Sequence, residues 1–236
     1  AINSAGAITQ DLDLVVSPAA IDHFTVTGIT DPVTAGTTVS PVVTAFDAYN
    51  NTKTNYTGTI AFTSTDAQAV LPSNYAFVGG DSGVHTFTDE VTLKTVGEKS
   101  VTVTGDTKVG SQSAITVNPA AANYLKVTGA SATPTAGGTD ELTITAYDLY
   151  DNVATAYAGS KDLTFSGLAN APIGTVATVE GTNFGTVTAV NFTSGVSDSN
   201  VATLIAYKAE SASVDVSDGA INSAGAITQD LDLVVS

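Results

Sequence analysis

Two short acidic stretches carry the residue types best suited to chemistry. Asp47-Ala48-Tyr49-Asn50-Asn51 and Asp148-Leu149-Tyr150-Asp151-Asn152 sit at equivalent strand-to-turn corners, 101 residues apart. Asp and Asn side chains cap such turns by accepting hydrogen bonds from nearby backbone N–H groups. The alternative chemistry is a Ca2+ site, which needs about six to eight oxygens from carboxylates, carbonyls and water. The second corner offers two carboxylates, Asp148 and Asp151, and the first offers only Asp47. If one corner holds a cation, the second is favoured, and Ca2+ is the only cofactor the sequence points to.

Other chemistries lack their residues. His23 and His85 are the two histidines, and neither sits in a nucleophile-elbow context with an oriented partner and an oxyanion hole. Asp89-Glu90 and Asp140-Glu141 are sequence neighbours, so strand geometry points each pair to opposite faces. No glycine loop of the phosphate-cradling kind precedes a helix. The chain contains no cysteine, which leaves no thiol chemistry and no Cys-based zinc site. The reading is that this is not an enzyme. Asn50, Asn55 and Asn191 each begin an N-x-T triplet and are acceptor candidates for N-glycosylation, although a threonine-rich chain produces such triplets by chance.

The residues that would position these corners are strand formers. Thr, Ala, Val, Gly and Ser dominate, and β-branched residues run throughout. The 236 residues suffice for two domains of about 100 residues each. Seven basic residues, all lysine, face 23 acidic ones, for a net charge of −16. Phosphate recognition needs clustered Lys and Arg, so nucleic acid and anionic membrane surfaces are poor partners. No apolar run approaches the length that spans a bilayer.

One stretch occurs twice. Residues 1–17 read AINSAGAITQDLDLVVS, and residues 220–236 repeat them without substitution, a period of 219. Ile8, Leu12, Leu14 and Val16 share one parity, while Asp11 and Asp13 take the other, the pattern of a half-buried strand. Such a strand needs partners for its backbone and its apolar face. The copy at 1–17 therefore reads as the last strand of a preceding repeat. It is expected to be held by another copy of the protein, through strand donation or in a continuous array.

Ser17-Pro18-Ala19-Ala20 and Asn118-Pro119-Ala120-Ala121 punctuate the chain, giving one domain over 18–118 and another over 119–236. The two run in register at the offset of 101. Thr34-Ala35-Gly36 matches Thr135-Ala136-Gly137, and TAFDAYNNT (44–52) matches TAYDLYDNV (145–153). Later, Leu204, Val214 and Val216 are matched to Leu93, Val101 and Val103. The first domain divides into seven strands, at about 22–28, 39–47, 58–64, 68–72, 84–94, 98–104 and 112–117. A helical turn is expected near 66–70 or 72–75. Short strands at this spacing predict an antiparallel sandwich. Val43 and Ala45 fall on odd numbers, and Leu142, Ile144 and Ala146 on even ones, which predicts a bulge or slipped register.

The run TAGTTVSPVVTAFDAYNNTKTNYTGTIAFTSTDAQAVLP, followed by GVHTFTDEVTLKTVGEKSVTV, resembles the bacterial Ig-like repeats of large secreted and surface proteins. YDLYDNVATAYAG and LIAYKAESASVDVSDG resemble a neighbouring branch of that superfamily. The absence of Arg, Cys, Met and Trp also resembles the narrow composition of microbial S-layer and filament proteins. The resemblance implies an all-β fold of two tandem Ig-like sandwiches, preceded by one strand from a neighbouring repeat. It implies an extracellular or cell-surface location and a structural role in a filament, sheath, S-layer or stalk. The alternative role is an adhesin that binds a glycan or host protein through sandwich loops. The expected partners are other copies of the chain.

Overall fold

The structure is a computed structural model that describes residues 15–224 and 229–236. The strand expected around Ile8, Leu12 and Leu14 lies outside the described residues. Strands dominate, and the one helical element among the described residues is a single 3-10 turn at Gly79–Asp81. No helix among them is long and apolar enough to cross a membrane.

The period-2 pattern becomes two hydrophobic cores. Along Val42–Asp47 the side chains of Val43, Ala45 and Asp47 turn inward and are buried. That strand pairs with Ile21–Thr27 on one side and Val84–Thr86 on the other, both antiparallel. The facing sheet runs Val33–Thr34, Lys108–Asn118, Gly97–Gly105, Thr59–Ser64, Tyr75–Ala76. Between them lie Phe24, Val26, Val43, Phe62, Phe87, Val101 and Val103, all buried. Phe62 and Phe87 meet edge to face with centroids 4.7 Å apart. Such a pair is worth about 0.5–1.5 kcal/mol beyond its area burial.

The second core repeats the plan. Tyr124–Gly129 pairs with Thr139–Tyr147, and Gly159–Ser166 lies between Val187–Thr193 and Glu210–Ser217. Leu231–Val235 closes the edge against Glu210–Ser217. Val127, Leu142, Ile144, Phe165, Leu204, Val214 and Val216 are buried, as the alternation requires.

Several local expectations change. No bulge is needed between the two domains' second strands. The offset of 101 is itself odd, so Val43 and Ala45 coincide with Ile144 and Ala146, and all four are buried. At 68–72 there is one bridge, Val70 to Thr92, and the strand forms beyond Pro72 at Tyr75–Ala76. The cause is Asp66, whose carboxylate accepts N–H bonds from Gln68, Lys94 and Thr95 and folds 66–69 into a turn. The helical turn lies at Gly79–Asp81 rather than at either expected place. Finally, Ala206 takes the place of Leu93, displacing the match from Leu204 by two residues. Gly36 N–H bonds Leu93 O at 2.8 Å, and Gly137 N–H bonds Ala206 O at 2.7 Å.

Candidate functional site

The two acidic corners are built alike, atom for atom. Asn50 and Asp151 adopt φ of 63° and 65°, a left-handed conformation that short Asx side chains tolerate. Asp148 Oδ1 accepts the N–H groups of Tyr150 (2.8 Å) and Asn152 (2.9 Å). Its Oδ2 accepts Asn152 Nδ2 (2.9 Å) and the N–H of Ala120 (2.9 Å). Asp47 holds Tyr49, Asn51 and Ala19 in the same four bonds. The fourth bond reaches back to the Pro-Ala-Ala junction, so each corner clamps the chain entering its own sandwich.

These bonds set the acidity of the corners. Burial pushes Asp47 upward, but the Asn51 side chain and the N–H groups of Ala19, Asn51 and Tyr49 outweigh it and hold the carboxyl at about 2. Asp148 is lowered by the same balance of burial against N–H donors. A carboxylate with four N–H donors has its acceptor directions taken by protons. Asp151 does not join Asp148 in a shared cage. Its Oδ1 accepts the Tyr124 hydroxyl at 2.8 Å. Among the described residues no group of three or more His, Cys, Asp or Glu converges as metal ligands would.

The second sandwich shows what the duplicated stretch does. In the copy at 220–236, Leu233 and Val235 are 1 % and 3 % exposed, and Val234 between them is 51 % exposed. Ser236 O accepts the N–H of Ala136 at 2.8 Å, as Asn118 O accepts that of Ala35 at 2.8 Å in the first sandwich. In the copy at 1–17, Val16, the counterpart of Val235, is 81 % exposed.

A joint between the sandwiches went unseen in the sequence. Asn152 donates from Nδ2 to Lys94 O (2.8 Å) and accepts the Val96 N–H at Oδ1 (3.0 Å). Tyr150 lies on the first core and against Gly36, where an added Cβ would collide with its hydroxyl. The available signal is that Tyr49 and Tyr150 occur at matching positions of the two corners. The partner edge is mostly backbone, which leaves no side-chain signature.

The remaining candidates lie apart from the joint. Asn50, Asn55 and Asn191 are all exposed. His23 stacks on Phe46 at 5.3 Å, and Tyr124 stacks on Tyr147 at the same spacing in the second sandwich. His85 stacks on Tyr75 on the edge strand and bonds Asp81.

These features define an all-β protein of two tandem Ig-like sandwiches, jointed corner to edge and closed by a strand whose sequence is present twice. No family model matches the chain, and no curated protein matches it. Among solved structures it is similar to the Escherichia coli adhesin FdeC, with 24 % identity over 94 % of this chain and 67 % of that one, TM-score 0.39. It is similar to the Yersinia pseudotuberculosis adhesin InvE, with 18 % identity over 90 % and 58 %, TM-score 0.35. Domains 5–6 of the S-layer protein SbsC share 18 % identity over 92 % and 99 %, TM-score 0.31. The chain thus spans about two thirds or less of the adhesin chains it resembles. At TM-scores this low, the sandwich assignment rests on the strands of this chain.

Proposed function

We propose that this chain is a structural repeat unit of an extracellular assembly, a filament, sheath, S-layer or stalk, in which copies follow one another head to tail. In this reading residues 1–17 take, in another copy, the edge position that 220–236 occupies here, exchanging with that copy's own identical stretch. A contact of this kind is heterologous and does not close on itself, so it generates a linear array. Addition of a strand to an open sheet edge supplies both backbone bonds and side-chain pockets.

The observation that carries the reading is the contrast between the two copies. A sequence that is buried as a closing strand at one end is present again, with Val16 exposed, at the other. The net charge of −16 fits a well-solvated surface on each repeating unit. Electron microscopy of native assemblies tests the reading. It expects a regular fibre or lattice with a two-sandwich repeat. Isolated stalks carrying distal heads would favour the adhesin alternative.

A further inference from the structure

The joint between the two sandwiches has two halves, and each half recurs where it meets nothing comparable. We propose that Tyr49 and Asn51 form a second joint, docking on the Ala136–Gly137 and Tyr207–Ala209 edge of the second sandwich of another copy. The proposal rests on the head-to-tail reading above and adds a specific contact surface to it.

The corner half comes first. Asn51 donates from Nδ2 to Asp47 Oδ2 at 3.0 Å, as Asn152 does to Asp148 at 2.9 Å. The side chain is therefore already aimed. Yet Asn152 is 7 % exposed and Asn51 is exposed, and Tyr49 is 78 % exposed where Tyr150 is half-buried. A tyrosine presented outward on a capped turn has only two side-chain torsions to fix on contact, which suits it to an interface.

The edge half matches it. Val101 and Val103 correspond to Val214 and Val216 with the same spacing that relates Leu93 to Ala206. Lys94 and Val96 therefore correspond to Tyr207 and Ala209. Asn152 uses only the Lys94 carbonyl and the Val96 N–H, which any residue supplies, so the changed side chains leave the recognition intact. Gly36 is packed by Tyr150, and Gly137, at φ 78°, has open space where its Cβ would be. Ala35 is 4 % exposed, and its counterpart Ala136 is exposed. Small residues at Ala136, Gly137 and Ala209 leave room for an aromatic ring.

The junction supplies the geometry. Ser17 corresponds to Ser236 by identity of the two stretches, and Ser236 O is bonded to Ala136 N–H. A copy whose Ser17 takes that place continues into Pro18-Ala19-Ala20. Ala19 is clamped to Asp47 at 2.8 Å, as Ala120 is clamped to Asp148 at 2.9 Å. The Asp47 corner then faces Gly137 as the Asp148 corner faces Gly36.

The test places a photoreactive benzoylphenylalanine at position 49 in two proteins. One is the full chain. The other is the full chain followed covalently by residues 18–236, with the probe in the second unit, which creates the joint without self-assembly. Irradiation is expected to crosslink position 49 of the tandem to peptides containing 136–137 or 206–209. Gly137→Asn, which tolerates a positive φ, is expected to abolish that crosslink with little change in melting. A tandem whose crosslinks map elsewhere overturns the joint. Crosslinks at the expected edge in the tandem, with the free chain remaining monomeric, support the joint and count against self-assembly. A free chain that assembles but crosslinks elsewhere overturns the joint and leaves the head-to-tail reading standing.

Discussion

Val16 and Val235 occupy the same place in two identical 17-residue stretches, and one is 81 % exposed while the other is 3 % exposed. Identical local sequence therefore has opposite burial, and tertiary context alone decides which. Val235→Asp should destabilise the second sandwich by about 2–4 kcal/mol, since it removes apolar packing and buries a charge. Val16→Asp should leave melting of the dilute chain within about 0.5 kcal/mol and weaken association at high concentration. Thermal melts paired with sedimentation read both effects.

Asp148 holds four N–H donors, and two of them belong to Asn152, which also spans the joint. Asp148→Ala orphans these donors and should cost about 2–4 kcal/mol. Asn152→Ala and Gly36→Asn, which tolerates the φ of 82° at that position, should do something different. They should leave both cores intact but uncouple them, splitting one calorimetric transition into two. A single unsplit transition in both variants would show that the joint does not couple the sandwiches.

Acid should attack the corners. Burial pushes Asp47, Asp66, Asp148 and Asp218 upward, but N–H donors outweigh it at all four, joined by the Thr95 hydroxyl at Asp66 and the Tyr157 hydroxyl at Asp218, so all four are lowered and Asp47 is held at about 2. A carboxyl whose folded pKa lies below its unfolded value of about 3.9 stabilises the fold above that value. The stabilisation is lost as pH falls through the folded pKa. The melting temperature should therefore drop steeply from about pH 4 towards pH 2. Asp140 has the opposite sign. Burial raises it, Glu141 adds repulsion, and the N–H groups of Ser131 and Ala130 only partly compensate. Asp140→Asn should stabilise the protein at neutral pH, and the gain should vanish in acid, where the native carboxyl is protonated.

For both carboxylates of the second corner to bind Ca2+, Asp148 would give up N–H donors and Asp151 would turn from Tyr124. Added Ca2+ and a chelator should give the same melting temperature. A rise of several degrees with Ca2+ would mean that the corner rearranges into an oxygen cage.

The alternation of Val43, Ala45, Val101 and Val103, and of their counterparts, was legible because burial on one face imposes a period of two. The capped corners were legible because Asx chemistry is local. The joint was not. Asn152 recognises a carbonyl and an N–H on a distant edge, and those groups are common to every residue. The fold of 66–81 was misread for a related reason. Asp66 binds Lys94 and Thr95 across 28 and 29 residues, which no local pattern encodes.

The head-to-tail claim is tested most directly by deleting residues 220–236 and measuring mass against concentration by light scattering. The truncated chain has an open edge beside Glu210–Ser217 and still carries the identical sequence at 1–17. It is expected to form long linear polymers with a fully folded second sandwich, and further deletion of 1–17 should abolish both. A truncated chain that stays monomeric with its second sandwich unfolded would contradict assembly through this strand.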